Sequence, residues 1–358
     1  MFAASRLTSQ VSPSPNWPAS WGWLKTASSN WLPTRTRSGS ARARAAIAAR
    51  LDEVALYPDG NGFELKSALA AKLGVALAGI VLGNGSNDVL ELVARALLGP
   101  NTSAVYSEHA FAVYPLATQA VGAQGIATPA RAYGHDLGAM LEALRDDTRV
   151  VFIANPNNPT GTLLGAGELH GFLKSVPERV AVVLDEAYGE FLDAAQRAPT
   201  LAWLVEFPNL ILTRTFSKAY GLAGLRVGYA LAHPEVADLL NRVRQPFNVS
   251  SLGLAGAAAA LEDHEFIARS KAMNDAGMSQ ILEGCEALNL SHIPSHGNFV
   301  CIEVGADAGG VFQALLRRGV IVRPVANYGL ARFLRVSIGL PEQNARFLAA
   351  LGEILERA

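Results

Sequence analysis

The sequence predicts an α/β protein: a large unit built on a mostly parallel sheet between helices, followed by a smaller α+β unit. Three observations lead there. Short apolar runs at 80–82, 103–106, 123–127, 149–154, 180–184, 210–213 and 227–232 alternate with helical stretches. Strands without polar alternation that are linked by helices belong in a parallel sheet covered on both faces. Three polar motifs each directly follow such a run, and the carboxyl ends of parallel strands are where such sheets bind ligands. Beyond residue 298 the order changes to strand (298–303), helix (311–318), strand (320–322), strand (333–338) and helix (341–357), a second and smaller pattern.

Residues 1–40 differ from the rest, being rich in Ser, Pro, Thr, Arg and Trp, with no acidic residue before Asp52. They lack the apolar core of a secretory signal and are expected to be disordered. A helix is expected at 41–54, a loop at 57–62 (Tyr-Pro-Asp-Gly-Asn-Gly) and a helix at 63–73. After strand 80–82 a glycine loop, 83–87, enters a helix running to about 98, with Ser86 as its expected cap and Asp88 in its first turn. Free N–H groups and the helix dipole make such an entrance an anion seat. Residues 234–245 read as helix and 251–288 as mostly helical. The expected organisation is an irregular arm (1–40), a large domain (41–250, with 41–60 partly joined to the small domain or a dimer contact), linking helices (251–285) and a small domain (286–358). No internal repeat is present.

The 358 residues are half hydrophobic with net charge −1, which gives no footing for nucleic acid or an anionic membrane as partner. No apolar run reaches the ~18 residues of a membrane span. Cys285 and Cys301 make neither a disulfide framework nor a metal cluster, which suits a reducing compartment. His292 and His296 are separated by Pro294, so no metal site is expected.

The three strand-end motifs carry the chemistry. Asn155-Pro-Asn-Asn-Pro-Thr-Gly161 is a proline-fixed turn in which Asn158 can present its amide. Asp185-Glu-Ala-Tyr188 places an acid after an apolar strand. In the third, Thr213-Arg-Thr-Phe-Ser-Lys-Ala-Tyr-Gly-Leu-Ala-Gly-Leu-Arg-Val-Gly-Tyr229, Lys218 lies beside the hydroxyls of Thr215 and Ser217, with Arg226 eight residues on. A lone lysine is usually a solvated loop residue. Crowded by glycines and partly dehydrated, it becomes a nucleophilic amine, with hydroxyls and an arginine beside it to hold a phosphate.

Together with Phe-Leu-Arg-Val-Ser-Ile-Gly at 333–339, these motifs resemble the fold-type I pyridoxal-phosphate aminotransferases, and most closely the histidinol-phosphate aminotransferase family. The resemblance runs from about residue 41 to the C-terminus. It implies a seven-stranded-type sheet, a smaller C-terminal domain, a cytoplasmic homodimer, pyridoxal 5'-phosphate as cofactor and no metal. It implies that Lys218 condenses with the cofactor aldehyde and moves protons, and that Asp185 pairs with the ring nitrogen. Asn158 and Tyr188 would bond the ring hydroxyl, and Phe111 would stack on the ring where the family often has tyrosine. Ser86, Asn87, Thr215, Ser217 and Arg226 would hold the phosphate, joined by Tyr57 of the neighbouring subunit. Arg323 and Arg335 would bind the substrate anion. The implied reaction is transfer of the amino group of L-histidinol phosphate to 2-oxoglutarate, giving imidazole acetol phosphate and L-glutamate by alternating half-reactions, in histidine biosynthesis.

Two alternatives stay open on the same scaffold: an aromatic-amino-acid aminotransferase or threonine-phosphate decarboxylase, and a low-activity or non-catalytic cofactor-binding homologue. The family's usual arm ahead of the Tyr57 loop, roughly Leu-Ala-Ser-Asn-Glu-Asn-Pro-Leu-Gly, is missing. Back-translating Asn30 to Gly39 from the third base of the Asn30 codon permits that arm in another frame. Residues up to about 40 are therefore expected to come from a frameshift in the gene or its reading.

Overall fold

A computed structural model describes residues 39–356 of the chain. The expectations for residues 1–38, disorder and a shifted reading frame, lie outside the described residues. The first helix of the described residues, α1 (Ala41–Ala48), is capped by Ser40, whose hydroxyl accepts from the Ala43 amide and donates to Asp263. It ends earlier than the expected residue 54, and a 3-10 turn at Leu51–Glu53 follows. Next come α2 (Phe63–Leu73), β1 (Ile80–Asn84), α3 (Ser86–Leu97), β2 (Ser103–Ser107), α4 (Val113–Ala120) and β3 (Gln124–Thr128). A small hairpin, β4 (Ala130–Arg131) and β5 (Gly134–His135), leads to α5 (Leu137–Glu142), β6 (Thr148–Ala154), α6 (Ala166–Ser175) and β7 (Ala181–Asp185). Then follow α7 (Thr200–Glu206), β8 (Leu210–Thr215) and β9 (Val227–Ala232).

These strands form a seven-stranded sheet in the order β1-β9-β8-β7-β6-β2-β3. Only β9 runs against the rest, being antiparallel to both β1 and β8. Both faces are covered. Along β7, Val182 and Leu184 face one core cluster while Val183 faces the other, as a period of two requires. The register sets Asp185 between Ala154 of β6 and Thr213 of β8. The carboxyl ends of three neighbouring strands therefore lie close together, with β8 running two residues further to Thr215, and the three polar motifs emerge at one edge.

His135 is 3% exposed beneath that edge, with Nε2 facing the backbone of Ala154. Burial pulls its pKa down to about 4. The folded state holds the ring neutral, so its contribution is complete above the unfolded pKa and is lost as pH falls from about 6.5 towards 4. By linkage the loss reaches about 3 kcal/mol. Chemical denaturation at several pH values should find a smaller acid loss in His135→Asn than in the parent protein.

The chain continues through α8 (Pro234–Val243), α9 (Ser251–Leu261) and α10 (His264–Ala287). At 24 residues, α10 is about 36 Å long. It leads into the smaller C-terminal unit: β10 (His292–Ile293), β11 (Phe299–Glu303), α11 (Ala308–Arg317), β12 (Arg323–Pro324), β13 (Phe333–Ser337) and α12 (Pro341–Leu355). Its antiparallel sheet has the order β10-β11-β13-β12 and its own apolar core. The strand expected at 320–322 lies instead at Arg323–Pro324. Val320 makes an isolated bridge, and Val320 and Val322 pack into the small core, so the apolar run reflects burial more than an extended strand. No helix among the described residues is long and apolar enough to cross a membrane.

Candidate active site

The strand ends open onto a cavity of about 240 Å³ lined by residues of both sheets. Of the residues singled out in the sequence, Ser86, Asn87, Phe111, Asn158, Asp185, Tyr188, Thr215, Ser217, Lys218, Arg226, Arg323 and Arg335 all line it. Tyr57 does not. It stands elsewhere on the surface, 83% exposed, its ring 4.9 Å from that of Phe247.

One end of the cavity is built for an anion. Gly85, at φ +79°, is the N-cap of α3, so the N–H groups of Ser86 and Asn87 point outward without helical partners. Ser86 is thus the first helical residue and not the expected side-chain cap. Asp88 stays in the first turn but accepts from the Asn84 amide and from Asn248. Arg226 lies across this end in the left-handed region, φ +55°, a position a non-glycine residue holds only under constraint. Its Nη1 donates to Ser217 Oγ at 3.4 Å, and the Ser217 amide donates to Thr215 Oγ1 at 3.1 Å. Two glycines permit the approach: a Cβ on Gly85 would collide with the Arg226 guanidinium, and one on Gly228 with the Ser86 amide.

The floor is acidic and aromatic. Asp185 is 4% exposed at the end of β7. Burial raises its pKa, while hydrogen bonds and nearby Lys218 favour its charge. Tyr188 is buried against Phe299, ring centroids 5.2 Å apart, and burial pushes its pKa up to about 12. Lys218, in the turn after β8, has its Nζ 5.3 Å from the centre of the Tyr188 ring.

The far wall is cationic. Arg323 and Arg335 are directly opposed across β12 and β13. Like charges facing each other on neighbouring strands destabilise the pair unless an anion lies between them. Arg335 is 6% exposed, sits 5.0 Å over the Phe299 ring and donates from Nη1 to Asn158 Oδ1. Its Nε is buried with no protein partner, a donor that an incoming carboxylate or phosphate would satisfy.

Two lining or supporting residues escaped the sequence reading. Tyr328 lines the cavity, and its carbonyl lies 2.6 Å from His109 Nδ1. Tyr114 Oη donates to Asp185 Oδ2 at 3.0 Å. Its one signal in the sequence was its place three residues after Phe111, one helical turn along the same face.

The donor set fits a flat ring with an anionic tail: an anion seat at one end, Phe111 for a ring face, a buried carboxylate for a ring cation and an amine at the wall. A sequence model of the family "Aminotransferase class I and II" matches residues 26–351. Histidinol-phosphate aminotransferase 2 of Pseudomonas aeruginosa is 62% identical over 316 residues, 88% of this chain and 86% of that protein. Histidinol-phosphate aminotransferase 1 of Thiobacillus denitrificans is 64% identical, over 87% of this chain and 82% of that protein. The crystal structure of histidinol-phosphate aminotransferase from Sinorhizobium meliloti in complex with pyridoxal-5'-phosphate superposes with a TM-score of 0.86 at 30% identity, covering 91% and 90% of the two chains.

Proposed function

The chain belongs to the aminotransferase class I and II family, and on that footing we propose that it moves the amino group of L-histidinol phosphate to 2-oxoglutarate with pyridoxal 5'-phosphate as cofactor. The observation that carries this reading is the meeting of Lys218, Asp185 and the opposed Arg323 and Arg335 around one cavity.

Pyridoxal 5'-phosphate, when bound, supplies an aldehyde for amines and an electron-poor ring that accepts the electron pair left at the substrate Cα. The α3 N-terminus, Thr215, Ser217 and Arg226 hold its phosphate. Phe111 covers a ring face. Asp185 keeps a proton on the ring nitrogen, and Asn158 and Tyr188 bond the ring hydroxyl. Lys218 Nζ would hold the cofactor aldehyde at rest and would carry the substrate Cα proton as general base and acid. Arg335 takes the substrate anion through a planar fork, which suits the carboxylate of glutamate and the phosphate of the other substrate alike. Arg323 supplies a second positive charge at the rim. Arg335→Lys keeps the charge and loses the fork, and should raise KM for both substrates by about 10- to 100-fold while sparing cofactor binding. Steady-state kinetics with each substrate varied checks it.

The same reading gives a cytoplasmic homodimer with shared sites. Tyr57 stands on a segment that also exposes Leu51, Val54, Leu56 and Phe63, an apolar face that suits a second copy. Tyr57 would then reach the partner's phosphate. Mixing and reassociating Lys218→Ala with Tyr57→Ala subunits should give more activity than the Tyr57→Ala protein alone at low cofactor, because one site of each mixed dimer is intact. The direct test of the reaction is glutamate formation from 2-oxoglutarate. Histidinol phosphate should far exceed aromatic amino acids as donor, and release of carbon dioxide in place of glutamate would overturn the assignment.

A further inference from the structure

Asp185 is asked to stay charged where little water reaches it. Burial, at 4% exposed, drives its carboxyl towards the neutral form, and a neutral carboxyl cannot hold a proton on a ring nitrogen. Its neighbours must offset that cost. The Thr213 hydroxyl and the Lys218 amine favour the charge from β8 and the turn after it, the Ala187 amide donates to Oδ1 at 3.3 Å, and the Tyr114 hydroxyl donates to Oδ2 at 3.0 Å. The second bond is the shorter, and it comes from a side chain with no freedom to leave. Tyr114 is fully buried at the start of α4. Its ring stacks on Phe152 at 4.8 Å and 7°, and Phe111 meets it edge-on at 5.8 Å and 87°. Burial first, and then the Asp185 charge, hold its hydroxyl proton far beyond ordinary pH, so it acts only as a donor.

We propose that Tyr114 is the positioning residue of this site: its hydroxyl aims the Asp185 carboxylate and favours its charged form, while its ring braces Phe111. One side chain then sets both the partner of the cofactor ring nitrogen and the group on the ring face. The inference rests on the pyridoxal phosphate reading of the cavity. The bland alternative is that Tyr114 only fills space between Phe111 and Phe152, with its hydroxyl satisfied by whichever acceptor lies near.

Tyr114→Phe separates the two, since it keeps the ring and removes the donor. Phe152→Leu is its counterpart, loosening the packing and leaving the donor. The measurement is the dissociation constant of pyridoxal 5'-phosphate from each purified full-length protein, by equilibrium dialysis across a pH series, with thermal melting of the same samples. In the parent protein affinity falls on the acid side as Asp185 takes up a proton. A hydrogen bond to a charged group at this depth predicts that Tyr114→Phe moves that midpoint up by about one pH unit, which weakens binding by up to about 10-fold below the midpoint and little above it. Phe152→Leu should lower the melting temperature and leave the midpoint unmoved. The inference is overturned if Tyr114→Phe keeps the parental midpoint and affinity, or if Phe152→Leu moves the midpoint as far. A parent protein that binds no cofactor at any pH would instead overturn the functional reading beneath it.

Discussion

Lys218→Ala should lose transaminase activity by about four orders of magnitude, the upper range for removing a proton-transfer group, and should no longer retain cofactor after borohydride treatment. The amine belongs to the one lysine among the described residues that line the cavity and lies 5.3 Å from the centre of the Tyr188 ring. Its removal takes away the resting attachment and the group that carries the Cα proton. The anion seat is built from other residues, so the variant should still bind the phosphate of the cofactor, and peptide mapping of reduced parent protein should place the label on Lys218. Added methylamine can restore a small part of the rate by supplying a free base, while leaving the label absent.

The second large effect is expected at Asp185. Asp185→Asn retains the shape and the hydrogen-bonding reach of the side chain but removes its charge, and kcat should fall by about 10²- to 10³-fold, the size seen when one preorganised electrostatic group is lost. Cofactor binding should weaken far less, because the phosphate seat and Lys218 remain. The loss arises because the amide no longer favours a proton on the ring nitrogen, and without that proton the ring draws electrons poorly from the substrate Cα. Rapid-mixing kinetics of the half-reaction check this: the chemical step should slow while substrate affinity changes little. An equal loss in both would mean that the carboxylate acts on binding.

Much of this arrangement was legible in the chain because its chemistry sits in strand-end loops. Apolar runs announced the strands, and the turns after β6, β7 and β8 kept their polar residues together in sequence. What escaped lies where distant segments meet. Tyr114 looks like a core aromatic of a short helix, and only the sheet order brings it to Asp185, 71 residues on. Ser86 looked like a cap because the positive φ of Gly85 cannot be read from residue type alone. The run Val320 to Val322 looked like a strand because buried apolar residues take the same form whether they pair or plug a core. The opposition of Arg323 and Arg335 likewise follows from the β12–β13 register and from nothing local.

The most direct test of the central claim is an absorbance titration of cofactor-saturated protein with L-histidinol phosphate in the absence of any oxo acid. The account predicts that the band of the lysine-bound aldehyde gives way to that of the free amine form of the cofactor, and that 2-oxoglutarate then restores the first band. A spectrum that histidinol phosphate leaves unchanged, in protein that responds to another amino donor, would contradict it.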